Sequence, residues 1–388
     1  MLLSNAVSLV FVSLFSALSV LLLDAFQHKS NKWLVIGVDL AKYDNTIVGI
    51  TEDGEVQIIE RISTEDLLEL ASEIQQTTFA MEPCNGANIL SLNLQAKGHE
   101  VKMISGAAVK DWVKVHLAGQ KTDRNDALAL AHLSRDTMLK PIRTKTVTEM
   151  RMQSIYAARK QLVKCRTSIL VSLKGISQAW GILFSAQRRN LKKMRESLED
   201  KVELLSQPVV DALIQMIDSV ARLDKEIEAL EYVMKDQLSQ DERAQRIQST
   251  LGIGFVGTHR LLSTCGDPNR FKGPKSFAAY YGLVPNNKST GHNYRVGKCS
   301  CHGDAEMRSC LYQAAAVLYM QNVKHLLSEC ALKQWLDKKV SQKMMWGKMI
   351  IALAAKLARI LWALLKYDAY FNLSKAGLSR SMLAQQTN

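Results

Sequence analysis

Between Trp33 and about Ser105, apolar residues come in short Val- and Ile-rich runs that alternate with stretches of helical spacing. WLVIGVD (33–39), NTIVGIT (45–51) and VQIIERI (56–62) predict three strands, because β-branched side chains pack well on a pleated surface. Asp53 and Gly54 supply a hairpin turn between the second and third. Ser63-Thr64-Glu65-Asp66 predicts the cap of a helix running to about Gln76. TTFAME (77–82) then reads as a strand, Ile89 to Lys97 as a helix stopped by Gly98, and HEVKMIS (99–105) as a fifth strand. The order βββαβαβ, followed by a helix, predicts a mixed sheet with a meander on one side and crossover helices on the other.

Ribonuclease H-like domains have that order. Beyond Lys140 the spacing turns helical, and residues 209–247 place Val210, Leu213, Ile217, Val220, Leu223, Ile227, Leu230 and Val233 near a heptad repeat. That predicts a coiled-coil hairpin or oligomer arm, or an amphipathic helix on its own domain. Leu251-Gly252-Ile253-Gly254 opens a final unit with a loop-rich centre (266–304) and an apolar helix near 344–367. Lys356 and Arg359 inside that helix predict a buried or interface element rather than a membrane span. The expected fold class is α/β plus all-α: a ribonuclease H-like mixed-sheet domain (33–140), a basic helical and coiled-coil segment (141–247) and a mostly helical C-terminal domain (248–372). An apolar N-terminal extension (1–32) and a tail (373–388) flank them.

Composition adds a partner class. The 388 residues carry 50 Lys+Arg against 37 Asp+Glu, a net charge of +13, which suits a polyanion such as nucleic acid. Residues 140–201 alone hold 15 Lys+Arg and 4 Asp+Glu, so most of the excess sits on one helical stretch able to grip backbone phosphates. Seven irregularly spaced cysteines do not form a secreted disulfide framework and predict a reducing, cytoplasmic setting. Leu2 to Leu23 runs 22 residues without a charge, long enough for a membrane helix, but everything downstream reads as a basic soluble protein. The expectation is therefore a start-site extension, with membrane association as the alternative.

The candidate chemistry is acidic. Asp39 ends the first strand, Glu82 ends the fourth, and Asp123 and Asp126 lie three apart in KTDRNDALALAH, on one helix face. Four carboxylates that converge repel one another unless divalent cations sit among them, and paired magnesium ions serve in-line attack at a phosphodiester. Lys121 and Arg124 bracket the helical pair as surface partners or phosphate contacts. Gly252 and Gly254 are spaced like the hairpin of a helix-hairpin-helix, where backbone N–H groups reach a phosphate. Cys299, Cys301, His302 and His292 lack the paired spacing of a structural zinc site.

GVDLAK (37–42), MEPCNGAN (81–88) and KTDRNDALALA (121–131) resemble the DEDD-type insertion-sequence transposases of the one-hundred-and-ten family and its eleven-eleven relatives, whose N-terminal domain is RuvC-like. LGIGFVGTHRLLSTCGDPNRFKGPKSFAAYYGLVP (251–285), followed by STG (289–291), resembles that family's C-terminal transposase domain. The resemblance covers about residues 33–370. It implies a recombinase whose metal ligands are Asp39, Glu82, Asp123 and Asp126, and whose C-terminal hydroxyl attacks DNA to form a covalent intermediate. The family's nucleophilic Ser falls on Thr290 here, with Ser289 one residue earlier, and both are carried as candidates. Ser300-Cys301-His302-Gly303 replaces the family's Ser-Lys-x-Gly, leaving Arg295 and Arg308 as phosphate contacts near the nucleophile. A noncoding bridge RNA, donor and target DNA, and a homo-oligomer, a tetramer built from dimers, are the partners it implies. The alternatives are a degenerate nucleic-acid-binding relative and a Holliday-junction-type nuclease that uses the acids alone.

Overall fold

A strand covered on both faces reads as a nearly continuous apolar run, and the first two strands do. β1 (Trp33–Asp39) and β2 (Asp44–Thr51) are buried along almost their whole length, and β3 (Val56–Ser63) is buried only at intervals. In this computed structural model, which describes residues 33–183, 191–287, 296–324, 330–372 and 377–379, the sheet order is β3-β2-β1-β4-β5, with β4 at Thr78–Met81 and β5 at Glu100–Met103. β1 pairs antiparallel with β2 and parallel with β4. β2 and β3 are antiparallel, β4 and β5 parallel. The meander and the crossovers fall on opposite sides of β1, as the order of elements predicts. The described residues form two compact units that part between Thr146 and Val147.

Side-chain alternation decides what each face of the sheet receives. Ile36, Val38, Phe79 and Met81 point to the face covered by α1 (Thr64–Glu73) and α2 (Ala87–Ala96), where they pack with Leu67, Leu70, Leu90 and Leu94. Val35 and Ala80 point to the other face, toward α3 (Gly106–His116) and α4 (Asp123–Leu133), and pack with Ala131 and Leu130 respectively. α1 and α4 start where capping side chains stand: Ser63 accepts from the Asp66 N–H at 3.0 Å, and Thr122 accepts from the Asn125 N–H at 3.1 Å. Each such cap contributes about 1 kcal/mol. The first helix stops at Glu73, earlier than its apolar spacing suggests, because Ile74 is extended and turns into the core.

The second unit opens with α5 (Val147–Ala179), and the short helices α6 (Leu191–Glu199) and α7 (Val202–Leu205) lead to α8 (Gln207–Ser239). α5 and α8 pack as an antiparallel hairpin. Arg159 pairs with Glu231 at 2.6 Å and Arg166 with Asp224 at 3.2 Å, so seven residues up one helix match seven residues down the other. Asp224 is buried, so this pair holds a charge inside the hairpin. These pairs draw part of the basic stripe into the fold: Arg159 and Arg166 face the hairpin partner, and Lys160 pairs with Glu306. The heptad helix is not continuous to 247. It stops at Ser239, and Asp241 recaps a new helix, α9 (Glu242–Gln248), by accepting from the Arg243 N–H.

α10 (Phe255–Cys265), α11 (Pro274–Tyr280), the hairpin β6 (Pro285–Asn287) with β7 (Val296–Cys299), α12 (Ala305–Val323), α13 (Ala331–Ser341) and α14 (Trp346–Lys366) follow. A terminal pair, β8 (Tyr370–Asn372) with β9 (Gly377–Ser379), closes the order. The apolar helix predicted near 344–367 is α14, and it is the spine of this unit's core: Leu353, Leu357, Leu361 and Leu364 are fully buried against Leu261, Phe277, Leu311 and Leu318. Among the described residues no helix is long and apolar enough to cross a membrane. The apolar run 2–23 lies outside the described residues.

Candidate active site

The sheet register brings the strand-borne acids together. Val38 and Met81 are partners across β1 and β4, so Asp39 and Glu82, one residue further on each strand, stand side by side at the sheet's carboxyl edge. Period-two alternation carries Asp39 with Val35 and Glu82 with Ala80, onto the face that α4 covers. α4 begins at Asp123, with Asp126 also in its first turn. Gly37 permits the crossing to be close: a Cβ there would lie 2.0 Å from the Ala127 carbonyl oxygen and 2.7 Å from the Ala131 nitrogen. The Glu82 carboxylate lies over Gly106, where a Cβ would stand 2.8 Å from Oε2, so the first residue of α3 leaves room for it.

Electrostatics register the crowding. Burial pushes the Asp39 carboxyl up to about 6, and Asp123, Asp126 and Glu82 add to that rise in decreasing order, while Lys121 opposes it. Glu82 is raised by burial and by Asp126, and Asp126 by burial and by Asp123; Lys121 again works against both. The four acids and Lys121 therefore share one field. As the side chains stand, no three Asp, Glu, His or Cys groups among the described residues are close enough to hold one ion jointly. Convergence is thus expressed as mutual repulsion rather than as a closed ligand shell. The donor chemistry nevertheless fits a hard divalent cation: carboxylate oxygens in surplus, half withdrawn from water, with Lys121 as the cation opposing them. Arg124 is exposed on the same first turn.

Sequence reasoning missed Gly37 and Gly106 as site-shaping positions. Their only signals were a glycine inside an otherwise β-branched strand and a Ser-Gly pair after β5, and what makes them matter lies far along the chain. It also passed over Cys84, whose thiol is pushed up by partial burial and by the nearby Asp39 and Glu82 charges.

Ser289, Thr290, His292 and Arg295 lie outside the described residues. Arg308 is engaged in bracing a loop: its Nη1 donates to the carbonyls of His302 at 2.8 Å, Tyr281 at 3.3 Å and Gly303 at 3.3 Å. Gly252 has φ +81°, and a Cβ there would meet the Ala314 carbonyl oxygen at 2.9 Å, so close packing on α12 accounts for this glycine. Gly254 stands at the start of α10 in open space. Cys299 donates to the Gly282 carbonyl, and both Cys299 and Cys301 are free thiols.

Residues 36–176 match a family model described as a transposase, the DEDD type of IS110 elements. Together with the sheet order above, this defines a DEDD transposase: an enzyme with a ribonuclease H-like domain that carries its acids at strand ends and at a helix start. Residues 244–329 independently match the model described as "Transposase IS116/IS110/IS902 family". Relatives agree along nearly the whole chain. The transposase for insertion sequence element IS1111A of Coxiella burnetii is 28% identical over 332 residues, covering 85% of this chain and 89% of the relative. That for IS1328 of Yersinia enterocolitica is 27% identical over 338 residues, covering 87% and 98%. A Pseudomonas aeruginosa protein named "Probable family 20 transposase" is 27% identical over 343 residues, covering 87% and 98%. The chain belongs to the IS110 family of transposases.

Proposed function

We propose that this transposase excises and inserts its element by magnesium-dependent strand cleavage and exchange, with a chain hydroxyl covalently joined to DNA between the two steps. The observation that carries the reading is the register that sets Asp39 beside Glu82 at the carboxyl edge of the sheet, on the face crossed by the helix whose first turn carries Asp123 and Asp126. Such a charge surplus is stabilised by divalent cations, and Asp39, Glu82, Asp123 and Asp126 are the groups that would hold them. Bound there, magnesium would supply activation of the attacking hydroxyl and charge neutralisation at the phosphodiester.

The chain's own groups do the rest. Lys121 and Arg124, beside the acids, orient the backbone phosphate. Ser289 or Thr290 supplies the nucleophile: its oxygen bonds to phosphorus, the scissile ester oxygen leaves as a sugar hydroxyl, and the proton lost by the side chain ends on that leaving group. Thr290 has the more crowded hydroxyl because of its β-branch. Arg295 and Arg308 stand near that nucleophile in sequence. Of the glycines before α10, Gly254 stands in open space and is the one left to meet a phosphate, Gly252 being packed on α12, and the basic α5 surface adds sequence-independent affinity.

Donor and target DNA, a bridge RNA that pairs with both, and a homo-oligomer assembled as a tetramer complete the proposal, in a cytoplasmic setting consistent with the free cysteines. The working division is an extension at 1–32, a nuclease domain at 33–140, a helical segment at 141–247, a transposase domain at 248–372 and a tail.

A recombination assay with the element's own flanking noncoding RNA tests it. Asp123→Asn should abolish strand exchange while DNA and RNA stay bound, and the covalent adduct trapped in the unmodified protein should map to residue 289 or 290. Full exchange by Asp123→Asn, or an adduct mapped elsewhere, overturns the reading.

A further inference from the structure

The second unit contains a groove of about 1380 Å³ that the proposed chemistry leaves unused. It is larger than the roughly 300–1,000 Å³ of a small-molecule site. α11, the β6–β7 hairpin, α13 and α14 wall it. Lys275, Lys298, Lys348 and Arg359 line it, one or more from each of α11, β7 and α14, and no Asp or Glu does. None of these four is held by a carboxylate among the described residues; Arg359 only donates from Nε to Ala355 of its own helix. Four like charges around one concavity repel one another, and a polyanion relieves that repulsion.

The floor has a different chemistry from the rim. Ile351, Ala352 and Ala355 present an apolar strip of α14, and Trp335 stands half-exposed beside it with the Lys356 ammonium 5.3 Å from its ring centre. A cationic rim over an apolar and aromatic floor matches unpaired nucleic acid, whose phosphates take the charges and whose base faces cover the floor. Duplex DNA keeps its bases stacked inside and would leave that floor bare. A peptide of acidic residues would satisfy the rim alone.

We propose that this groove holds an unpaired DNA strand next to the point of cleavage, phosphates on Lys275, Lys298, Lys348 and Arg359 and bases against Trp335 and the α14 strip. The assignment to DNA rests on the reading above that Ser289 or Thr290 attacks DNA: the eight residues joining β6 to β7, the strands that wall the groove, carry both hydroxyls. A strand lying in the groove is then continuous with the strand being cut.

The test uses the full chain with EDTA throughout, so that neither the acids nor any metal enters the result. Fluorescein-labelled dT15 carrying 5-iododeoxyuridine is irradiated on the unmodified protein, and the cross-linked peptide is identified. The expected cross-link is to Trp335 or to residues 348–359. Lys298→Gln/Lys348→Gln should weaken dT15 about tenfold at low salt and reduce the slope of log affinity against log salt by about 1.4, two contacts at about 0.7 each. Trp335→Leu should weaken dT15 about fivefold or more with the slope unchanged, because it removes stacking and no charge. Cross-links confined to other segments, an unchanged salt slope in the double variant, rU15 bound in preference to dT15, or displacement of dT15 by poly-glutamate at equal charge each overturn the proposal. Should a variant fail to fold, the cross-link on the unmodified chain decides. A groove cross-link that persists while adducts map away from residues 289 and 290 would refute the nucleophile and leave the groove standing.

Discussion

Gly37 and Ala127 meet backbone to backbone: a Cβ on Gly37 would sit 2.0 Å from the Ala127 carbonyl oxygen. This contact sets the height at which α4 crosses β1, and with it the distance from Asp39, two residues along the strand, to Asp126, one residue before Ala127. Close approach of a helix to a strand demands glycine here because the neighbour is main chain, which cannot rotate aside.

Gly37→Ala should therefore lift α4 from the sheet. The expected loss is about 1–3 kcal/mol or more, the range for overpacking a well-filled core. Strand exchange should fall further than stability alone explains, because the two acid pairs separate. Urea denaturation alongside a recombination assay checks it; an alanine variant with unchanged midpoint and activity would show that the crossing is not set by this contact.

Gly106→Ala is predicted to do the opposite. The atom it would meet is the Glu82 carboxylate, at 2.8 Å, the free end of a flexible side chain. Glu82 can swing away at little cost, and alanine is the better helix former by up to about 1 kcal/mol. The melting temperature should hold or rise while the magnesium midpoint for thermal stabilisation shifts to higher concentration. Unchanged magnesium dependence would remove Glu82 from the ligand set.

Asp39 gives that magnesium response a pH dependence. Its carboxyl is raised to about 6 in the fold, from an ordinary value near 3.8. A raised carboxylate contributes stability while protonated, and that contribution is lost as pH climbs from the ordinary value through about 6. Metal-free protein should thus weaken over that interval, and magnesium should restore it above pH 6, where the carboxylate is free to bind. Thermal shift measured from pH 4.5 to 8 with and without magnesium reads both limbs. A magnesium increment that does not grow across pH 6 would count against Asp39 as a ligand.

His259 should govern acid sensitivity of the second unit. It is fully buried, hydrogen-bonded through Nε2 to Gln237 at 2.9 Å, and pulled down to about 4 by burial and by the neighbouring Arg260. The unfolded chain takes up its proton near 6.5 and the folded site resists until about 4. Its contribution is therefore complete above about 6.5 and is lost as pH falls through that window. His259→Gln should flatten the decline between pH 6.5 and 4, measured by denaturation of the full chain; an unaltered slope would assign it to other groups.

The sheet was legible because three strands in succession carry β-branched runs, and because Ser63 and Thr122 mark helix starts by chemistry that acts within three residues. The strand-end places of Asp39 and Glu82 could be read for the same reason. What could not be read depends on contacts across long separations. Nothing local to Gly37 shows that residue 127 will lie on it, and nothing local to Gly106 shows Glu82. The break at Ser239 was hidden by a heptad pattern that continues past it, since Asp241 can cap a helix or ride on one. The fate of Arg159 and Arg166 was equally hidden: charge counting places them on a phosphate-binding face, and the antiparallel partner turns them inward.

The two ion pairs of the long hairpin, one heptad apart, also fix its mechanics. Sliding either helix by a single turn would break both pairs at once and move the buried Asp224 away from its guanidinium. The arm therefore behaves as a pinned strut rather than a spring, and anything gripped at one end is held at a set distance from the other.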